Sequence, residues 1–183
     1  NNVVLCYISD LHLNHKIINK FKNSVNKFEL ESYLKKIVEK LKDSLPTFTY
    51  NYSIVFVGDI SYNFEIFKMF FKSFRREIPY QKTFVVLGNH ELWDTKLNKN
   101  CKSIEEIIES YRKFLNSFEC KIYLLENQLF LPNDKQQIYS QEDILTLDKN
   151  ILRQKFLCNG YAIFGGIGYA GMNEEFNANQ GIY

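Results

Sequence analysis

No C-x-x-C pair occurs among the four cysteines of this 183-residue chain. Cys6, Cys101, Cys120 and Cys158 are scattered, three of them in apolar surroundings. That distribution argues against a disulfide framework and for free thiols in a reducing compartment, so a cytoplasmic location is expected. Also missing is any apolar run long enough to span a bilayer, and Val3 to Ile8 is too short and wrongly flanked for a signal peptide. A membrane partner is therefore not expected. Charge of one sign is lacking as well: the formal net charge is +2, and the lysines are spread along the chain. Without a basic stripe to track phosphates, nucleic acid is not an expected partner. There is no internal repeat, low-complexity tract or linker. With 45% hydrophobic and 24% charged residues, the composition is that of an ordinary soluble globular protein. One domain over residues 1–183 is expected, and the Asn1 start and abrupt end at Tyr183 predict an excerpt of a longer protein, incomplete at its C-terminal side. Histidine is scarce too: His12, His15 and His90 are the only three.

What is present is an alternation. "VVLCYI" (Val3 to Ile8) is apolar throughout, which predicts a strand covered on both faces. Glu31 to Leu45 has amphipathic helical spacing, and Pro46 ends it. The unit then repeats. Ser53 to Gly58 is a second strand, and Phe64, Phe67, Phe70, Phe71 and Phe74 form one stripe of a helix reaching about Arg75. Lys82 to Gly88 is a third strand, and Ser103 with Glu106 opens a third helix carrying Ile104, Ile107, Ile108, Tyr111 and Leu115. Ile122 to Leu125 and Tyr161 to Ile167 are further strand candidates, with the polar segment Pro132 to Gln154 between them as an insertion holding a helical turn or more. The fold class is α/β: βαβ crossovers building a largely parallel sheet.

Ligands bind such sheets outside the carboxyl ends of the strands. Three of those ends carry chemistry here: Asp10 and His12 in "SDLH", Asp59 in "GDIS", then Asn89, His90 and Glu91 in "GNHE". Carboxylate and amide oxygens with imidazole suit Mn²⁺, Fe or Zn²⁺ better than thiolate-preferring metals. Asp59, on the middle strand of the three, could bridge two ions. A pair of ions roughly 3.5–4 Å apart clamps the attacking and leaving oxygens of a phosphoryl displacement. Magnitude favours metals: a positioned acid or base contributes ~10²–10⁴-fold, whereas phosphate ester hydrolysis can require acceleration approaching ~10²¹.

In this order, and each behind a strand, the three blocks resemble those of the calcineurin-like metallophosphoesterase superfamily. The resemblance implies a two-sheet α/β sandwich, of which this chain could hold only the N-terminal part. It also implies two divalent metal ions and hydrolysis of a small phosphorylated substrate, with water attacking phosphorus in line. By resemblance Asp10 and His12 bind the first ion, Asp59 bridges, Asn89 binds the second ion, and His90 is the catalytic imidazole near the leaving group. Two departures matter. The second block reads "GDISYNF", with Tyr62 and Asn63 where the protein phosphatases carry Asp and Arg, which disfavours a phosphoprotein substrate. The family's later His and G-H-x-H block find no counterpart, since no histidine follows Glu91. The alternative is a degenerate module that keeps the fold and binds without catalysis.

Neighbouring residues take plainer roles. The spacing of His15 from His12 could suit a third ligand, but the resemblance implies none there and a solvated loop or substrate-facing role is expected; Glu91 is expected beside the ligands without being one. Tyr62 and Trp93 are expected to pack beside the crevice. Gly165, Gly166 and Gly168 lack the first βα turn of a dinucleotide site.

Overall fold

The structure, a computed structural model, describes residues 4–22, 24–46, 52–93 and 103–166. Its main sheet has four parallel strands: β1 (Val4–Ser9), β2 (Tyr52–Val57), β3 (Lys82–Val86) and β4 (Ile122–Leu124). They lie in the order β1-β2-β3-β4, with Val4 opposite Tyr52, Ser53 opposite Lys82 and Thr83 opposite Ile122. Helices α1 (Leu13–Phe21) and α2 (Lys27–Ser44) link β1 to β2, and α3 (Phe64–Glu77) links β2 to β3. A 3-10 turn (His90–Trp93) and α4 (Ile104–Asn116) follow β3. Because neighbours in space are neighbours in sequence and all run parallel, the loops after β1, β2 and β3 emerge along one edge.

The second sheet is antiparallel, with strands β5 (Gln128–Phe130), β6 (Ile138–Tyr139) and β7 (Ile163–Gly165) in the order β6-β5-β7. Helices α5 (Gln141–Thr146) and α6 (Lys149–Asn159) connect β6 to β7. The α/β class expected from the sequence and the two-sheet arrangement implied by the resemblance are both present.

The core follows from the aromatic stripe. Phe67, Phe70, Phe71 and Phe74 of α3 are fully buried, and the last three stand edge-on to Phe56 of β2, with centroids 5.1–5.8 Å away. Each such side chain contributes about 1.5–3 kcal/mol by leaving water. On the opposite sheet face Val55, Phe84 and Tyr123 pack against Phe130, Ile138 and Ile163 of the second sheet.

Several boundaries differ from the sequence expectation. β1 is not covered on both faces: its burial alternates, and Leu5 and Tyr7 are exposed. It is an edge strand, and the second sheet packs on β2 to β4 without covering it. α2 begins at Lys27, not Glu31, because Asn26 and Glu29 form a reciprocal capping box. That first turn buries nothing, so apolar spacing could not mark it. The segment Pro132 to Gln154 holds the helical turn or more expected there, as α5 and the start of α6, and adds the short strand β6. The strand candidate at Tyr161 narrows to Ile163–Gly165, pairing antiparallel with β5, while Ile167, Gly168 and Cys101 lie outside the described residues. Cys6, Cys120 and Cys158 are free. Among the described residues no helix is long and apolar enough to cross a membrane.

Candidate metal centre

At the carboxyl edge the parallel ladder does not stop where the strands do. The backbone N–H of Asp10 reaches the carbonyl of Gly58 (3.4 Å), that of His12 the carbonyl of Asp59 (2.9 Å), and that of Leu13 the carbonyl of Ile60 (2.9 Å). On the other side Gly58 donates its N–H to Val86 (3.0 Å). These bonds hold an unfavourable backbone: Asp10 (φ 54°), His12 (φ 42°) and Asp59 (φ 52°) all sit in the left-handed region. That conformation costs a non-glycine residue roughly 1–2 kcal/mol. Gly58 (φ 70°) shares it at no steric cost. Gly88 has a different reason to be glycine: a Cβ there would collide with the Asp59 carboxylate and stand 2.5 Å from the Asp59 backbone nitrogen.

Glu91 locks the second and third loops together. Its carboxylate is fully buried and accepts four backbone N–H groups. Oε2 takes those of Gly88 (2.7 Å) and Asp59 (3.1 Å), and Oε1 those of Ile60 (2.7 Å) and Ser61 (2.8 Å). Burial pushes the Glu91 carboxyl above its ordinary value, against the pull of the N–H groups of Ser61, Gly88 and Ile60, and the Asp59 charge pushes it further up. The Tyr111 hydroxyl, from α4, donates to the Glu91 carbonyl (3.1 Å). Asp59 Oδ1 in turn accepts the His90 backbone N–H (3.2 Å). The loops are thus cross-linked by polar bonds, those of Ile60, Ser61 and Tyr111 buried and those of Asp59, Gly88 and His90 part-buried.

This scaffold gathers the expected ligands. Donor atoms of Asp10, His12 and Asp59 all lie within 4.8 Å of one another, and His12 Nε2 is 3.7 Å from Asp10 Oδ1. Two carboxylates and an imidazole form the mixed oxygen and nitrogen set that suits Mn²⁺, Fe or Zn²⁺, so these residues fit a divalent ion. Asn89, half-buried, stands between Gly88 and His90, whose N–H groups are fixed by Glu91 and Asp59. Its own carbonyl accepts the Leu92 N–H (3.1 Å) as the chain enters the 3-10 turn.

The His90 ring faces the same space, with its centroid 4.9 Å from that of His12. His15 joins them, 5.8 Å from His12 and 6.4 Å from His90, and Tyr62 stands edge-on to His15 at 6.3 Å. His15 is on the first turn of α1, a helix that the sequence reading missed. The available signal was the spacing of His12 and His15, which are three apart and so share a helix face. Asn63 does not face the site: its side-chain oxygen accepts the Ile66 N–H and caps α3. The Trp93 side chain lies outside what is described.

A family model described as calcineurin-like phosphoesterase matches residues 4–169. Comparisons with curated proteins and with solved structures return no match.

Proposed function

The chain belongs to the calcineurin-like phosphoesterase family, and on that premise we propose that it hydrolyses phosphate esters at a site for two divalent ions drawn from Mn, Fe and Zn. The observation that carries the proposal is the convergence of Asp10, His12 and Asp59 at the carboxyl edge of the parallel sheet. When bound, such ions supply hydroxide near neutral pH and charge to stabilise the phosphoryl oxygens. Asp10 and His12 hold the first ion. Asp59, on the central loop, is shared between both. Asn89 offers its amide oxygen to the second. His90 is left to protonate the departing oxygen or to hold the phosphate, its backbone fixed by Asp59. Glu91 touches no substrate and sets the loop spacing.

The substrate is a small phosphorylated molecule and not a phosphoprotein. Supporting this, Tyr62 and Asn63 replace the acidic and basic pair of the protein phosphatases, and the Asn63 side chain is engaged in capping a helix. The free thiols support a reducing compartment such as the cytoplasm.

The test is hydrolysis of a generic phosphodiester and a generic monoester by the complete protein, with Mn²⁺ and after chelation. Metal-dependent turnover is expected. A second reading, a binding module without turnover, takes the same convergence of Asp10, His12 and Asp59 as a metal-binding site alone. Tight metal binding without hydrolysis of either ester would establish that module instead.

A further inference from the structure

We propose that His12, His15 and His90 form a metal site of their own, made of nitrogen donors alone and distinct from the Asp10, His12 and Asp59 group. The three rings come from the start of α1 and from the 3-10 turn after β3, yet one donor nitrogen of each lies within 4.8 Å of the others. Their centroids are 4.9, 5.8 and 6.4 Å apart and their planes meet at 66–78°. An ion with Zn–N distances of about 2.0–2.1 Å in a tetrahedral shell sets its imidazole centroids roughly 5 Å apart. His12 and His90 already meet that spacing. His15 is the outlying ring, and it is exposed on the first turn of α1, where its side chain is free to close the remaining gap. Edge-on packing alone does not account for the cluster, because the exposed His15 gains little from burial there.

The donor type decides the occupant. Three imidazoles suit Zn²⁺, Co²⁺ or Ni²⁺, whereas Mn²⁺ prefers carboxylate, carbonyl and water oxygens. Zn²⁺ fits both groups, which share His12, whereas Mn²⁺ fits only the mixed one. The catalytic consequence rests on the phosphoester reading: an ion held by the three rings occupies His90 and turns a proton donor into a ligand, so occupancy of this group opposes hydrolysis.

The experiment reads binding, not turnover, so its failure is distinguishable from a failure of the phosphoester reading. Asp59→Asn removes a carboxylate from the mixed group and keeps an oxygen to accept the His90 N–H. In that variant, Zn²⁺ titration followed by imidazole NMR is expected to shift the ring resonances of all three histidines together. Adding His15→Ala should weaken Zn²⁺ by at least about tenfold, the lower end of what losing even an outer-shell partner costs. In the parent protein His15→Ala should leave Mn²⁺ affinity unchanged. His15 resonances that stay in place at Zn²⁺ saturation, or an affinity unchanged by His15→Ala, would overturn the proposal. Should Asp59→Asn fail to fold, the His15 resonances of the parent protein decide by the same criterion.

Discussion

The backbone N–H of Asp59 donates to Oε2 of Glu91 over 3.1 Å, so the proposed bridging carboxylate hangs from a residue on the next loop. The same carboxylate also takes the N–H groups of Ile60, Ser61 and Gly88. The position of one proposed metal-binding side chain is therefore set by a buried acid outside the proposed ligand set.

Glu91→Gln is the sharpest probe of that arrangement. The amide keeps one acceptor oxygen and turns the other into a donor facing two backbone N–H groups. At about 1–3 kcal/mol for each unsatisfied buried N–H, a loss of about 2–6 kcal/mol is expected. Chemical denaturation checks it. A change within a few tenths of a kcal/mol would mean that the four-donor cradle does not bear on stability.

Gly88→Ala tests the close approach of the two loops. The added methyl meets the Asp59 carboxylate and backbone, so Asp59 must move. Metal affinity should fall more than stability does, as read by calorimetric titration with Mn²⁺ beside a thermal melt.

His12 stores strain. Its φ of 42° remains unfavourable for alanine and is relieved by glycine, so His12→Gly should be more stable than His12→Ala by roughly 1–2 kcal/mol. Both variants lose the proposed ligand. Equal stabilities in the metal-free proteins would contradict the left-handed backbone at this position.

Away from the site, the Asp134 carboxyl is held below the usual aspartate range, chiefly by Lys155 Nζ (2.8 Å) and then by the Tyr139 hydroxyl (2.8 Å). A lowered folded-state value adds stability above the unfolded value of 3.8 and loses it as pH falls through the folded one. Lys155, held above its ordinary value by the same partners, adds stability that fades as pH rises through its folded value. The advantage of the native protein over Asp134→Asn should shrink on acidification below the aspartate range. Melting temperatures of both proteins across that range check it.

The legible and illegible parts divide on physical grounds. Strands β1 to β3 and the α3 stripe could be read because continuous apolar runs and helical spacing report burial directly. The edge position of β1 could not, since Leu5 and Tyr7 are apolar yet exposed, and coverage depends on where the second sheet packs. α1 escaped because the stretch after His12 reads as loop until tertiary packing buries Leu13 and Ile17. Within the site, Asp10, His12 and Asp59 were readable from strand-end position, and the structure brings them together. The partners of Glu91 were not: three of its four bonds span 30 to 32 residues, and no local pattern records them.

The central claim is that Asp59 and His90 serve phosphoester hydrolysis as ligand and acid. Its most direct test is the rate of hydrolysis by the complete protein loaded with Mn²⁺, compared with Asp59→Asn and His90→Ala under the same conditions. His90→Ala should slow turnover by ~10²–10⁴-fold, the usual contribution of a positioned proton donor. Asp59→Asn should lose both metal affinity and rate. Rates that both substitutions leave unchanged would contradict the account.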